Sequence, residues 1–337
     1  TPTPAAKSEE GIQDTGDFES VMTELVTVPV RVLDRNNRFV GGLAKENFKI
    51  FEDGVEQDIA YFTNEAQPFT VALVLDMSYS TVFKISEIQS AAIAFIDQLR
   101  PQDKVLVVSF DEEVHMLTEA TSDRGRIYRA IRSTHIATGT SLYDAVDLTM
   151  NERLRSIKGR KAIVLFTDGV DTTSRRSHDL KNLDDARELD ALIYPIRYDT
   201  FADVQSMKNK TIITFPGPKA PTGQGNPIPA SIPTGPVSPN DKGTTAAEYA
   251  AAEEYLNQLA LNTGGRIYLA STTGSLNKAF SSIASELREF YSIGFEPKGE
   301  PIPGKTRKIK VRTDRQGVVI RARDSYTVPK RRKALTE

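Results

Sequence analysis

The spacing of apolar positions along the chain changes character three times. From Leu25 to Phe62 it alternates: Val26, Val28, Val30 and Val32 share one face of a strand, Asn36-Asn37 supplies a turn, and Phe48–Phe51 runs into a second turn at Asp53-Gly54. Short β-strands are the expected product. After Pro68 the pattern becomes strand then helix, repeated. Thr70–Asp76 is apolar to its end, and Ser86–Arg100 places Ile88, Ala92, Phe95, Ile96 and Leu99 on one helical face. Further strands are predicted at Lys104–Phe110, Lys161–Phe166, Leu192–Arg197 and Arg266–Leu269, with Val114–Leu117 as a hairpin partner of the first. Helices are predicted at Arg124–Ser133, Leu142–Arg155, Leu180–Leu189, Ala246–Leu261 and Ser275–Phe290. Strands that alternate with helices imply a mostly parallel sheet covered on both faces.

From Tyr291 alternation returns, with Ile309 and Val311 set between Lys308, Lys310 and Arg312. Two β segments of about forty residues each bury too little surface to stand alone. Pairing them makes one sandwich. The expected architecture is therefore an α/β fold with a doubly wound, mostly parallel sheet (68–290) inserted into a small β-sandwich built from 21–67 and 291–329. Within the inserted unit, Pro216–Gly243 holds eight prolines and five glycines in 28 residues and reads as a long exposed loop. Residues 1–20 read as a disordered polar tail and 330–337 as a basic one.

Composition narrows the function. In 337 residues, 43 Lys and Arg stand against 45 Asp and Glu, so the formal charge of −2 gives no whole-chain case for a nucleic-acid binder. No apolar run approaches the roughly 18 residues of a membrane helix, so no transmembrane segment is expected in this chain. The absence of Cys excludes disulfides, thiolate metal sites and a cysteine nucleophile, and leaves His115, His135 and His178 as nitrogen ligands. Any metal is expected on oxygens. The polar stretch Thr1–Asp17, with two prolines, looks like the remnant of a removed leader, so a secreted or periplasmic location is expected, with the cytoplasm left open.

The candidate chemistry sits where apolar strands end. Thr70–Leu75 runs straight into Asp76-Met77-Ser78-Tyr79-Ser80, Lys161–Phe166 into Thr167-Asp168-Gly169, and Thr138-Gly139-Thr140-Ser141 precedes the helix at Leu142. In a doubly wound sheet, ligands bind beyond the carboxyl ends of the strands. Asp76, Ser78, Ser80, Thr140 and Asp168 then form a set of hard oxygens, two of them charged, that suits Mg²⁺, with Mn²⁺ or Ca²⁺ open and zinc a poor fit. Asp171 reads as a solvated loop residue. Asp144 falls in the first turn of its helix, where negative charge offsets the helix dipole.

Asp-x-Ser-x-Ser after an apolar strand, Gly-Thr before a helix some sixty residues on, and Thr-Asp-Gly after another strand resemble the metal-ion-dependent adhesion site of von Willebrand factor type A domains, as in integrin I domains. The resemblance covers roughly Pro68 to Phe290. The flanks, Leu43–Gly54 at one end and Arg307–Val311 with Tyr326, Val328 and Pro329 near the other, resemble a bacterial group of such proteins described from Acidobacteria. The resemblance implies that the hydroxyls of Ser78, Ser80 and Thr140 touch the metal directly, that Asp76 and Asp168 can act through water, and that an Asp or Glu of a partner protein or peptide completes the shell. The family often has Gly or another small residue where this chain has Tyr79. A phenol there narrows the site, and Tyr79, Ser141 and Asp171 are the expected partner-facing residues.

Two other motifs are set aside. Gly299-Glu300-Pro301-Ile302-Pro303-Gly304-Lys305-Thr306 has the P-loop spelling, but a P-loop needs a strand before it and a helix after it. Here an alternating strand follows, and two prolines remove N–H donors. Lys305–Lys333 carries twelve Lys or Arg and two Asp, yet Lys308, Lys310 and Arg312 fall on one strand face, as a solvated exterior does. The scattered His offer no triad. A metal-dependent binding module is the expected function. A structural secreted subunit with an inactive site and a Mg²⁺-dependent phosphoryl-transfer enzyme are the alternatives, and the oligomeric state is open.

Overall fold

The computed structural model describes residues 25–64, 67–78, 85–198, 200–201, 204–205, 242–299 and 301–329, and the backbone of 212–215 and 230–233. Four strands open the described chain: β1 (Val26–Leu33), β2 (Phe48–Glu52), β3 (Val55–Gln57) and β4 (Ile59–Thr63). The α/β unit follows with β5 (Phe69–Asp76), α1 (Ile85–Asp97), β6 (Lys104–Phe110), β7 (Val114–Thr121), α2 (Arg124–Arg132), α3 (Leu142–Asp147), β8 (Arg160–Thr167), α4 (Asp179–Glu188) and β9 (Leu192–Arg197). It continues with β10 (Ile212–Phe215), β11 (Ala230–Pro233), α5 (Ala246–Thr263), β12 (Tyr268–Leu269) and α6 (Thr273–Glu286). The chain returns to β13 (Tyr291–Phe295), β14 (Thr306–Thr313), β15 (Val319–Arg321) and β16 (Ser325–Thr327).

The central sheet runs β12-β9-β8-β5-β6-β7, parallel except for the β6–β7 hairpin. Every residue of β5 is buried, because the pleat sends alternate side chains to two different cores. Val71, Leu73 and Leu75 meet Ile88 and Phe95 of α1, Ile127 of α2 and Phe280 and Ile283 of α6. Ala72 and Val74 meet Leu142 and Val146 of α3 and Leu256 and Leu259 of α5. Each Val or Leu so enclosed contributes about 1.5–3 kcal/mol, which makes β5 the rigid base for whatever its end carries. The architecture is thus α/β and doubly wound. Among the described residues no helix is long and apolar enough to cross a membrane.

Strands from both ends of the chain interleave in two antiparallel sheets, β15-β1-β13-β4 and β16-β14-β2-β3. Val28, Val30 and Val32 pack with Ile50, Tyr291, Ile293 and Phe295 in a third core between them. The opposite face of β1 turns toward the α/β unit. There Arg31, Arg266 and Arg321 converge on the buried Glu286, at 2.9 Å and 2.8 Å for the first two, while the Tyr268 hydroxyl donates to it at 2.8 Å.

Three elements differ from expectation. Leu142–Arg155 is not one α-helix: α3 gives way to a π-helical stretch, Leu148–Leu154, in which Arg155 donates five residues back to Met150 at 3.1 Å and the Thr149 hydroxyl takes the Ala145 carbonyl at 2.7 Å. Only Tyr268–Leu269 of the strand predicted at Arg266–Leu269 pairs with β9. Inside the proline-rich segment, β11 pairs antiparallel with β10, so the backbone of Ala230–Pro233 is strand rather than loop. Residues 216–229 and 234–241 of that segment and both tails lie outside the described residues.

Candidate metal centre

β5 ends at Asp76 and β8 at Thr167, one residue before Asp168, so two adjacent parallel strands deliver carboxylates to the same edge of the sheet. Strand order reverses around β5, with β6 to one side and β8 to the other, which opens a crevice beyond their carboxyl ends. Backbone hydrogen bonds bring three loops together there. Met77 donates to the Phe110 carbonyl at 2.8 Å, Ala137 donates to the Met77 carbonyl at 3.1 Å, and Ser78 forms a parallel bridge with Ala137. The amides of Thr172 and Thr173 reach the Thr140 carbonyl at 2.9 and 3.1 Å, and Glu112 donates to the Thr138 carbonyl at 2.8 Å.

Two glycines make this closeness feasible. Gly139 has φ +78°, and a Cβ on it would lie 2.8 Å from Cβ of Glu112. Gly169 has φ +89°, and its Cβ would lie 2.8 Å from the Leu256 side chain. Neither backbone conformation nor space allows a larger residue.

Both carboxylates are held firmly. Asp76 is fully buried; one oxygen accepts the Ser78 N–H at 2.9 Å and the other the Thr167 hydroxyl at 2.6 Å. Asp168, also buried, accepts the Val170 N–H at 3.0 Å and the Thr200 hydroxyl at 2.5 Å, and Thr200 lies 2.9 Å from the Tyr249 hydroxyl. Burial first, and the neighbouring Asp168 charge second, push the Asp76 carboxyl up to about 7, against hydrogen bonds from Ser78 and Thr167 that pull it down. Thr140 is buried at the same junction. Its amide donates to the Thr173 hydroxyl at 3.0 Å, while its own hydroxyl makes no hydrogen bond among the described residues.

Asp76, Ser78, Thr140 and Asp168 are therefore brought together. Tyr79 and Ser80 lie outside the described residues. Among the described residues no group of three or more His, Cys, Asp or Glu is placed to hold a metal, so a cation at this point depends on two carboxylates and neutral hydroxyls. That donor set is all hard oxygen and fits Mg²⁺.

Of the surrounding residues, Asp171 departs from its sequence reading, while Asp144 keeps its place in the first turn of α3. Ser141 is buried, donating its hydroxyl to the Glu112 carbonyl at 2.6 Å and lying 2.9 Å from the Thr173 hydroxyl. Asp171 is half-buried rather than solvated: it accepts the Tyr143 N–H at 3.1 Å and the Ser174 hydroxyl, and burial pushes its carboxyl up. Asp144 reaches out of its helix to accept the backbone N–H groups of Arg175, Arg176 and Ser177 at 2.7–2.9 Å. The sequence assigns no role to Thr173, Thr200 or Tyr249, and names Thr167 only as part of the Thr-Asp-Gly motif. Thr167 adjoins Asp168 and was within reach of the motif, whereas nothing in the spacing ties Thr200 or Tyr249 to it.

The sequence model of the von Willebrand factor type A domain matches residues 71–170. No curated protein matches the chain. Among solved structures, the conserved hypothetical protein BatB from Bacteroides thetaiotaomicron is 16% identical, with 65% of this chain and 98% of that one covered and a TM-score of 0.42. A von Willebrand factor type A protein from Catenulispora acidiphila is 9% identical over 92% of this chain and 76% of that one, with a TM-score of 0.45. Proximal thread matrix protein 1 from the mussel byssus, described with a zinc-occupied adhesion-site motif, is 14% identical over 71% and 50%, with a TM-score of 0.46. The chain carries a von Willebrand factor type A domain.

Proposed function

We propose that the crevice at the ends of β5 and β8 holds a Mg²⁺ ion on Asp76, Ser78, Thr140 and Asp168, with Ser80 as a further ligand, and that this site binds an acidic residue of a partner protein. The observation that carries the proposal is the pair of buried carboxylates. The Asp168 charge adds to burial in raising the proton affinity of Asp76, and a divalent cation beside the two would turn that repulsion into attraction. The bound ion would supply a Lewis-acidic position for an incoming carboxylate.

The chain's own residues do the rest. Thr167 and Ser78 orient Asp76, Thr200 orients Asp168, and the Thr173 contact fixes the backbone of Thr140 so that its uncommitted hydroxyl stays at the crevice. Because Ser141 and Asp171 are engaged in joining loops, they set partner choice through the shape of the rim, with Tyr79 as the side chain nearest the ion in sequence. This is a binding module rather than an enzyme, in a secreted or periplasmic setting. Mn²⁺ is expected to substitute.

The test is affinity capture on immobilised protein in Mg²⁺ and in EDTA, with wild type and Thr140→Ala. Retention of a partner in Mg²⁺ alone, weakened at least tenfold by Thr140→Ala, is expected. Equal retention in all four conditions would place recognition elsewhere on the molecule.

A further inference from the structure

At the other end of the parallel sheet, where β8 and β9 begin, the α/β unit and the outer face of the β1–β13–β4 sheet leave a cavity of about 240 Å³. At roughly 30 Å³ per water it has room for about eight water-sized groups. Arg160 decides its chemistry. The guanidinium stacks on the Phe290 ring at 4.2 Å, and Nε, Nη1 and Nη2 are all buried without a hydrogen-bond partner. Other arginines leave one nitrogen unmatched, but Arg160 is the arginine among the described residues in which all three are. Burying a charged fork of five N–H donors with no acceptor is unfavourable, and the group best suited to relieve it is a planar anion taken in bidentate fashion.

The neighbours limit what that anion can be. The Lys161 ammonium donates to the Ile157 carbonyl at 2.9 Å and faces the Asp190 carboxylate, which leaves Arg160 as the cation of the cavity without an acidic neighbour. Leu25, Pro29 and Phe290 line an apolar side of the cavity. Asp190, at its margin beside the Lys161 and Arg323 cations, occupies them with its own carboxylate and so disfavours a second anionic group. We propose that this cavity binds a small monocarboxylate with an apolar body, its carboxylate on Arg160 and its body against Leu25 and Pro29. The side chain of Arg160 would leave the Phe290 ring to meet it, and the cavity supplies the space for that turn.

The proposal is tested by thermal shift of the full chain with 4-methylpentanoate, with its neutral amide and with succinate, each at about 10 mM, on wild type, Arg160→Met and Asp190→Asn. The monocarboxylate should raise the wild-type midpoint while the amide and succinate do not, and Arg160→Met should bind it at least tenfold more weakly. Without ligand, Arg160→Met should melt no lower than wild type, because it keeps the apolar stem over Phe290 and removes an unpaired charge. Asp190→Asn should let succinate bind. An unmoved wild-type midpoint, an equal shift with the amide, an equal shift in Arg160→Met, a destabilised Arg160→Met, or an Asp190→Asn protein that still rejects succinate would each overturn the proposal.

Discussion

Asp76 concentrates the chemistry of the crevice in one group. Its native pKa of about 7 stands above the ordinary 3.8, so between those values the folded chain binds more protons than the unfolded one. Stability contributed at low pH is then lost as pH rises from about 4 through 7 and is level beyond. Melting curves in EDTA across that window should show the decline in wild type and a shallower one in Asp76→Asn; parallel curves would contradict the assignment. Thr140→Ala removes a hydroxyl that makes no hydrogen bond among the described residues, so it should leave the midpoint nearly unchanged while lowering Mg²⁺ affinity at least tenfold, about 1.4 kcal/mol. At this scale the positions of the candidate residues were readable, because apolar strands that stop at Asp76 and just before Asp168 announce a buried edge, while Thr140 stands out only as Gly-Thr before a helix. Their supports were not. Thr200 meets Asp168 across 32 residues through a hydroxyl contact that leaves no periodic trace.

At the crevice, α3 is capped from another segment of the chain rather than by its own N-cap residue. α3 begins at Ser141, whose side chain does not cap it; Asp171 and the Ser174 hydroxyl, both from the loop after β8, accept the Tyr143 and Asp144 N–H groups at 3.1 Å. Asp171→Ala should therefore cost about 1 kcal/mol, the usual worth of a helix cap, and the loss should appear in chemical denaturation with an unchanged slope. Gly139→Ala should cost more, about 2 kcal/mol, since it combines φ +78° with a 2.8 Å approach to Glu112. Strand limits such as Lys104–Phe110 and Leu192–Arg197 were legible because buried parallel strands carry near-continuous apolar runs, here bounded by Lys104 and Arg197. The π-helical stretch after α3 was not, since Leu148–Leu154 keeps the apolar spacing of an ordinary helix and only the hydrogen bonds differ.

The whole molecule has two poles, a metal-type crevice at the carboxyl ends of the central strands and a β-sandwich beyond their amino ends. Glu286 links the sandwich to the α/β unit by engaging Arg31, Arg266 and Arg321. Glu286→Gln would take the shared counter-charge from the buried Arg31 and the half-buried Arg266 and Arg321, and equilibrium unfolding should lose about 3 kcal/mol. That the sandwich draws strands from both chain ends was inferable from the marginal size of each segment alone; the arginine cluster that seats it was not, because its members are separated by up to 290 residues. The account as a whole turns on the crevice binding a cation. Calorimetric titration of Mg²⁺ into metal-free wild type and Asp76→Asn tests it most directly. One Mg²⁺ bound per wild-type chain, with binding abolished in the variant, is the predicted result; no heat up to about 10 mM Mg²⁺, or equal binding by both proteins, would contradict it.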